Sequence, residues 1–274
     1  MFLLKKYFKA FQIRTKMTIS CAIKSPYAFG VTYKLYKKNH PHKELQRFQN
    51  IHLGERCFII GTGPSLTLED INCLEGEYTF GVNTLFQIYK DTHWRADYYC
   101  IIDPNTYSNL ETGLKSEDVK NIFIAENRMK ANVMHNDNLI PFLLECSSFY
   151  RMLYPDYFGA TSFSENISEE VYDGASVVYA ALQIAVYMGF KTIYLIGVDC
   201  NYDQSLLHNK NLNYSKNYSY KWTKQTGLTM IKGFEVAKAY ADTHGIEIYN
   251  ATRGGMLEVF PRVRLQEIIK GKVN

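Results

Sequence analysis

Arg56-Cys57-Phe58-Ile59-Ile60-Gly61-Thr62-Gly63-Pro64-Ser65-Leu66 reads as one buried strand that stops at two glycines, and Thr67-Leu68-Glu69-Asp70-Ile71 then opens a helix. Gly61 and Gly63 lack a Cβ, so backbone N–H groups there can come close to a ligand. Pro64 suits a first helical turn, and Ser65 adds a hydroxyl and a further N–H. A turn of this kind is expected to hold an anion, above all a phosphate; the competing reading is a tight structural turn. It is not the dinucleotide fingerprint, because Leu66 stands where a third glycine belongs and the next strand, Tyr78-Thr79-Phe80-Gly81-Val82-Asn83, ends in asparagine rather than an acid. Nor is it a Walker loop, since no Gly-Lys-Ser/Thr follows the first glycine.

Working outward, strand and helix patterns alternate. Strands are expected at 56–60, 78–83, 97–102, 121–125, 191–199 and 246–250, and a further one at 139–144, where Pro141 argues for an edge. Residues 174–190 contain no charge, so a helix there must be buried on more than one side. A second helix carries Ile231, Phe234, Ala237 and Ala241 on one stripe, and a closing helix is expected at 262–271. The alternation predicts an α/β fold: a doubly wound, mostly parallel Rossmann-like sheet. Ligands in such sheets bind beyond the carboxyl ends of the strands. That rule gathers Gly61 to Ser65, Asn83, Asp103, Asp199 and Asn250 at one edge, although each alone is more often a cap or turn residue.

Composition narrows the setting. With 274 residues and 46% hydrophobic content, the chain can bury one large core. Six cysteines without Cys-x-x-Cys spacing read as buried free thiols, not as a disulfide frame or a zinc site. The 22 tyrosines suit sugar or nucleotide sites, or simply reflect a tyrosine-rich composition. Residues 1–50 hold eleven Lys/Arg and one acid, Glu44, so this part carries +10 and the remainder −6. We expect two parts: a basic N-terminal extension, 1–50, and a nucleotide-binding catalytic domain, 51–274. A helix over residues 3–17 would gather Leu3, Leu4, Tyr7, Phe8 and Phe11 on one face, with its lysines largely elsewhere. Such a segment fits an anionic membrane surface, or packs on its own domain with a solvated basic face. No apolar run is long enough for a transmembrane helix, and no nucleic-acid motif accompanies the basic patch. The expected location is cytoplasmic, peripheral at the inner face of the membrane.

Gly61-Thr62-Gly63-Pro64-Ser65-Leu66, Gly81-Val82-Asn83, Ile102-Asp103-Pro104, Ile196-Gly197-Val198-Asp199 and Tyr249-Asn250-Ala251-Thr252-Arg253-Gly254-Gly255 together resemble the MptE-like family, named for archaeal 6-hydroxymethylpterin diphosphokinase. That family's core is similar to those of motility-associated-factor glycosyltransferases and bacterial sialyltransferases. The sialyltransferases share the glycine loop, an asparagine matching Asn83, a run matching Gly189 to Asp199, and a hydroxyl residue matching Ser176. They also place a catalytic histidine before the helix that corresponds to the one near Ile231, where this chain has Lys224-Gln225-Thr226-Gly227. The histidine nearest to that role is His208, in a polar, tyrosine-rich segment at 200–224.

The resemblance implies a glycosyltransferase using a nucleotide-activated sugar, CMP-sialic-acid-like among the options, with a glycan or lipid-linked acceptor in surface polysaccharide or glycoconjugate synthesis. Gly61, Thr62, Gly63, Pro64 and Ser65 would hold the phosphate, with Asn83, Ser176 and Asn250 on the nucleotide or sugar. Tyr202 would donate to the departing phosphate, and His208 would take the acceptor's proton, or else is an exposed loop histidine. No cofactor is required in that reading. The alternative is a diphosphokinase whose Mg²⁺ would rest on Asp103 and Asp199. A non-catalytic nucleotide- or glycan-binding subunit is the third. The chain has no Asp-x-Asp, which favours metal-free transfer.

Overall fold

The computed structural model describes residues 42–104, 106–107, 119–129, 138–145, 161–201 and 224–270. Seven strands form one sheet: β1 (Arg56–Ile60), β2 (Tyr78–Val82), β3 (Tyr98–Ile101), β4 (Asn121–Ala125), β5 (Leu139–Phe142), β8 (Thr192–Ile196) and β9 (Glu247–Asn250). Their order is β5-β4-β3-β2-β1-β8-β9, and every pair is parallel. The sheet is the expected doubly wound one. Pro141 lies in β5, an edge strand, where its missing N–H costs no central ladder bond. A second, two-stranded parallel pair, β6 (Leu144–Glu145) with β7 (Val171–Tyr172), has no counterpart in the sequence patterns because two residues carry no period.

Among the described residues the strands are accompanied by the helices α1 (Leu68–Asn72), α2 (Val177–Tyr187), α3 (Lys224–His244) and α4 (Leu265–Lys270). The segment after β2 is a 3-10 helix, Asn83–Lys90. Helix α2 is the centre of the main core. Apart from Val186, all its residues are buried, and it packs on β1, β2 and β3. Its one polar side chain, Gln183, is fully buried but satisfied: Oε1 accepts from the N–H groups of Ser164 and Tyr172, and Nε2 donates to the carbonyls of Tyr172 and Tyr179. The exposed carbonyls at its C-terminal end are met by the loop before β1, where Asn50, His52 and Gly54 N–H groups donate to Tyr187, Met188 and Gly189.

The core reaches further back than the expected domain start at residue 51. Leu45 and Phe48, in a 3-10 turn over Lys43–Phe48, are buried in the main cluster, and Phe48 meets Phe123 edge-on at 5.0 Å. The boundary therefore cannot fall at 50/51, because that cut would strip two side chains from the core. Cys57, Cys100 and Cys200 are buried free thiols, and Cys73 is half-buried and free. Among the described residues no helix is long and apolar enough to cross a membrane. The expected helix at 3–17 lies outside them.

Candidate functional site

Strands β1 to β5 step outward in one direction, whereas β8 and β9 lie on the other side of β1. The direction of winding reverses between β1 and β8, so the loops leaving these two strands diverge and open a crevice at the carboxyl edge. Gly61 to Ser65 leave β1 there, as the sequence predicted, and Gly197 to Cys200 leave β8, which ends at Ile196 rather than at the expected Asp199.

The geometry of the glycine loop assigns its glycines a different first duty from the one expected. Gly61 N–H donates to Ile196 O and Gly63 N–H to Gly197 O, both at 2.8 Å. A Cβ on Gly61 would stand 2.4 Å from Gly197 O, and one on Gly63 would stand 2.6 Å from that oxygen and run into the Asp199 carboxylate. The missing Cβ atoms thus admit the backbone of the β8 loop. Ser65 Oγ donates to Asp199 Oδ2 at 2.8 Å, with Ser65 N–H at a longer 3.5 Å. Thr62, half-buried, keeps an N–H that no other described residue accepts.

Asp199 is 8% exposed; burial raises its carboxyl above the ordinary range, while the two Ser65 contacts pull it down. The third loop, after β9, locks this arrangement. Thr252 Oγ1 accepts Val198 N–H at 3.0 Å, and Met256 N–H donates to Asp199 O at 2.7 Å. Arg253 forms a bidentate pair with Asp70 (2.6 Å for each nitrogen) and also donates to Ser65 O at 2.9 Å. Asp70 is at the same time the N3 half of a capping box with Thr67 at the start of α1. Asn250 belongs to this lock, not to a ligand surface. It is fully buried, Nδ2 donates to Leu257 O at 2.6 Å, and Oδ1 accepts from Thr252 N–H at 3.0 Å.

Asn83 is different. It follows β2 with φ of 45°, in the left-handed region, and its side-chain Oδ1 is buried without a hydrogen-bond donor among the described residues. Tyr99 on β3 fixes the backbone here: its hydroxyl donates to Asn83 O at 2.6 Å and accepts Phe86 N–H at 2.8 Å. Gly81 lets the Tyr99 ring cross β2, since a Cβ there would sit 2.6 Å from the ring. Tyr99 is thus a positioning residue that the sequence alone did not single out; as one more aromatic in a strand it carried no distinguishing signal.

Ser176 caps α2, its Oγ accepting Val178 N–H at 3.2 Å, and it follows Ala175 at φ 61°. Since α2 runs down to the start of β8, its N-terminus lies at the carboxyl edge. Asp173 beside it accepts Ala175 N–H at 2.8 Å and faces Arg128 at 3.7 Å. Burial raises the Asp173 carboxyl, opposed by Arg128 and the Ala175 N–H and reinforced by Glu145. The raised value means that its ionised form weakens the fold at neutral pH, a penalty that disappears as pH falls through it.

Asp103 lies two residues past β3, half-buried, its carbonyl accepting from Tyr107 N–H. The strands carrying Asp103 and Asp199 are three spacings apart in the order β3-β2-β1-β8, about 14 Å at about 4.8 Å per spacing. Both residues stand in the loops beyond those strands, two residues past β3 and three past β8. Among the described residues no group of three or more His, Cys, Asp or Glu is placed to hold a metal. His208 and Tyr202 lie outside the described residues. An open cleft of about 860 Å³ between Arg253–Gly254 and Arg262–Ile268 adjoins the β9 loop. Another, about 750 Å³ and lined by Glu75, Tyr78, Trp94 and Asp97, opens at the amino edge, where a doubly wound sheet does not place its ligand.

Among solved structures, the chain is similar to the MAf glycosyltransferase from Magnetospirillum magneticum AMB-1, with a TM-score of 0.52 and 14% identity over 85% of this chain and 41% of that one. It thus spans about two fifths of that protein's length. The sialyltransferase CST-II in complex with CMP matches with a TM-score of 0.43 and 17% identity over 76% of this chain and 86% of that chain. The CstII sialyltransferase from Campylobacter jejuni in complex with a substrate analogue, CMP-3FNeuAc, gives 0.39 and 17% over the same shares. No curated protein matches the chain. Residues 32–205, well over half of the chain, match the family described as 6-hydroxymethylpterin diphosphokinase MptE-like, and this stretch runs from before β1 through the glycine loop and Asn83 to Asp199. The chain belongs to the MptE-like family.

Proposed function

We propose that the chain is a glycosyltransferase that draws its sugar from a nucleotide-activated donor. The unpartnered Oδ1 of Asn83 carries this reading. A buried amide oxygen without a donor costs about 1–3 kcal/mol, and a base amino group or a sugar hydroxyl bound in the crevice removes that cost. The left-handed backbone of Asn83, held by Tyr99, supports the reading because it fixes where the amide stands. The likeness in fold to a glycosyltransferase supports the reaction class by analogy.

In this reading the acceptor hydroxyl attacks the anomeric carbon and the glycosyl–phosphate bond breaks. His208 takes the hydroxyl proton, and Tyr202 donates a hydrogen bond to the departing phosphate. The acceptor is a glycan or lipid-linked sugar of a bacterial surface polysaccharide or glycoconjugate. The family's description favours a second reading, a diphosphokinase. It is the weaker one because the strands that precede its two candidate carboxylates are three spacings apart in the sheet.

A thermal-shift panel of CMP-, UDP- and GDP-sugars against ATP with Mg²⁺ separates the two. One nucleotide sugar should raise the melting temperature in the presence of EDTA. The Asn83→Gly variant, which keeps the left-handed backbone and removes only the amide, should lose that shift. His208→Ala should retain the shift but turn over about 10²–10⁴-fold more slowly. Stabilisation by ATP alone, abolished by EDTA, would establish the diphosphokinase instead.

A further inference from the structure

We propose that Asp199 is the acceptor for the ribose hydroxyls of the nucleotide, and that the glycine loop is built around this carboxylate rather than around a phosphate. The inference rests on the nucleotide-binding reading above. The loop's own donors are largely engaged: Gly61 and Gly63 N–H groups bond the β8 carbonyls, and Ser65 Oγ bonds Asp199 Oδ2 at 2.8 Å. A phosphate seated on Ser65 would meet a carboxylate on the same hydroxyl, and two anions on one donor repel. The two guanidinium groups near the loop are already paired, Arg253 with Asp70 at 2.6 Å and Arg262 with Glu258 at 2.6 Å, and what charge they lend the site already acts on Asp199.

The carboxylate, by contrast, is presented as an acceptor. Ser65 is the only other described residue that donates to its side chain, beside Asp199's own N–H, which leaves at least one of about four lone-pair sites for a ligand. Its backbone is fixed by Met256 N–H on the carbonyl, and the close approach of Gly255 leaves no room for a Cβ there. It also stands at the β1/β8 reversal, where doubly wound sheets take nucleotides. A vicinal diol offers two O–H donors to the two oxygens of such a group. Hydroxyls of a transferred sugar have the same chemistry, and the deoxyribose arm of the test distinguishes the two sources.

Calorimetry on the full chain with CMP, UMP, GMP and AMP identifies the tightest ribonucleotide, which is then compared with its 2′-deoxy and 3′-deoxy forms. The wild type should lose about ten- to a hundredfold in affinity when a ribose hydroxyl is removed. Asp199→Asn should bind the ribonucleotide as weakly as the wild type binds the deoxy form. Ser65→Ala leaves the carboxylate in place but unanchored, and should show a reduced preference; it carries the test alone if Asp199→Asn does not fold. Equal affinity of the wild type for ribo and deoxy forms would overturn the proposal. So would tighter binding by Asp199→Asn, which would make the carboxylate a plug for a phosphate site. If none of the four nucleotides binds, the nucleotide reading itself fails, and this inference with it.

Discussion

Gly63 shows how one residue type serves two readings. From the sequence, its missing Cβ admits a ligand; in the structure it admits Gly197 O and the Asp199 side chain. The difference has a measurable consequence. Gly63→Ala should cost stability, about 1–3 kcal/mol or more, because the atom it meets at 2.6 Å is backbone and cannot swing aside. Denaturant unfolding should therefore show a lower midpoint together with weaker nucleotide binding. A variant of unchanged stability that binds no nucleotide would restore the ligand-contact role. Asn250 teaches the same lesson: a polar strand end was legible as important, but only the bonds to Leu257 and Thr252 show that it fastens a loop. Asn83 is the opposite case, since no described residue donates to its buried oxygen.

At the scale of elements, the two edges of the sheet divide the work. The carboxyl edge gathers the glycine loop, Asn83, Ser176 and Asp199. The amino edge carries a buried group that no chemistry requires: His52 Nδ1 contacts Glu55 at 2.5 Å, Nε2 contacts the Tyr98 hydroxyl at 2.7 Å, and the ring stacks on Phe190 at 4.4 Å. Burial pushes the Tyr98 phenol up to about 12, so it remains a neutral partner throughout the physiological range. His52→Ala removes the packing and leaves the Tyr98 hydroxyl without this partner. It should cost about 3 kcal/mol. Nucleotide affinity should not change, as read by a lower melting temperature with an unaltered dissociation constant. Loss of affinity would mean that the edges are coupled. The strands themselves were legible because buried apolar runs of four or five residues between polar turns have few other readings. The β6–β7 pair and the 3-10 turn at Lys43–Phe48 were not, because both are made by tertiary contacts that outweigh weak local patterns.

Charge is distributed across the whole molecule in a way the sheet does not require. Residues 1–17 carry five cations, Lys5, Lys6, Lys9, Arg14 and Lys16, and no acid, while residues 51–274 carry a net −6. A transferase with a lipid-linked acceptor gains from being held at the surface where that acceptor lies, and an anionic leaflet contributes about 1 kcal/mol for each nearby Lys or Arg. Five such groups set an upper bound of about 5 kcal/mol on the electrostatic attraction, and the apolar side chains Leu3, Leu4, Tyr7, Phe8 and Phe11 would add burial at the interface. Deleting residues 1–17 should therefore weaken co-sedimentation with phosphatidylserine-containing vesicles by about a hundredfold or more, with the full chain's binding falling steeply as salt is raised. The melting temperature and the nucleotide dissociation constant of the truncated chain should stay as they were, since the proposed nucleotide crevice lies between strands β1 and β8. A fall of many degrees on truncation, with vesicle binding unchanged, would instead mean that these side chains pack against the domain and their cations face solvent.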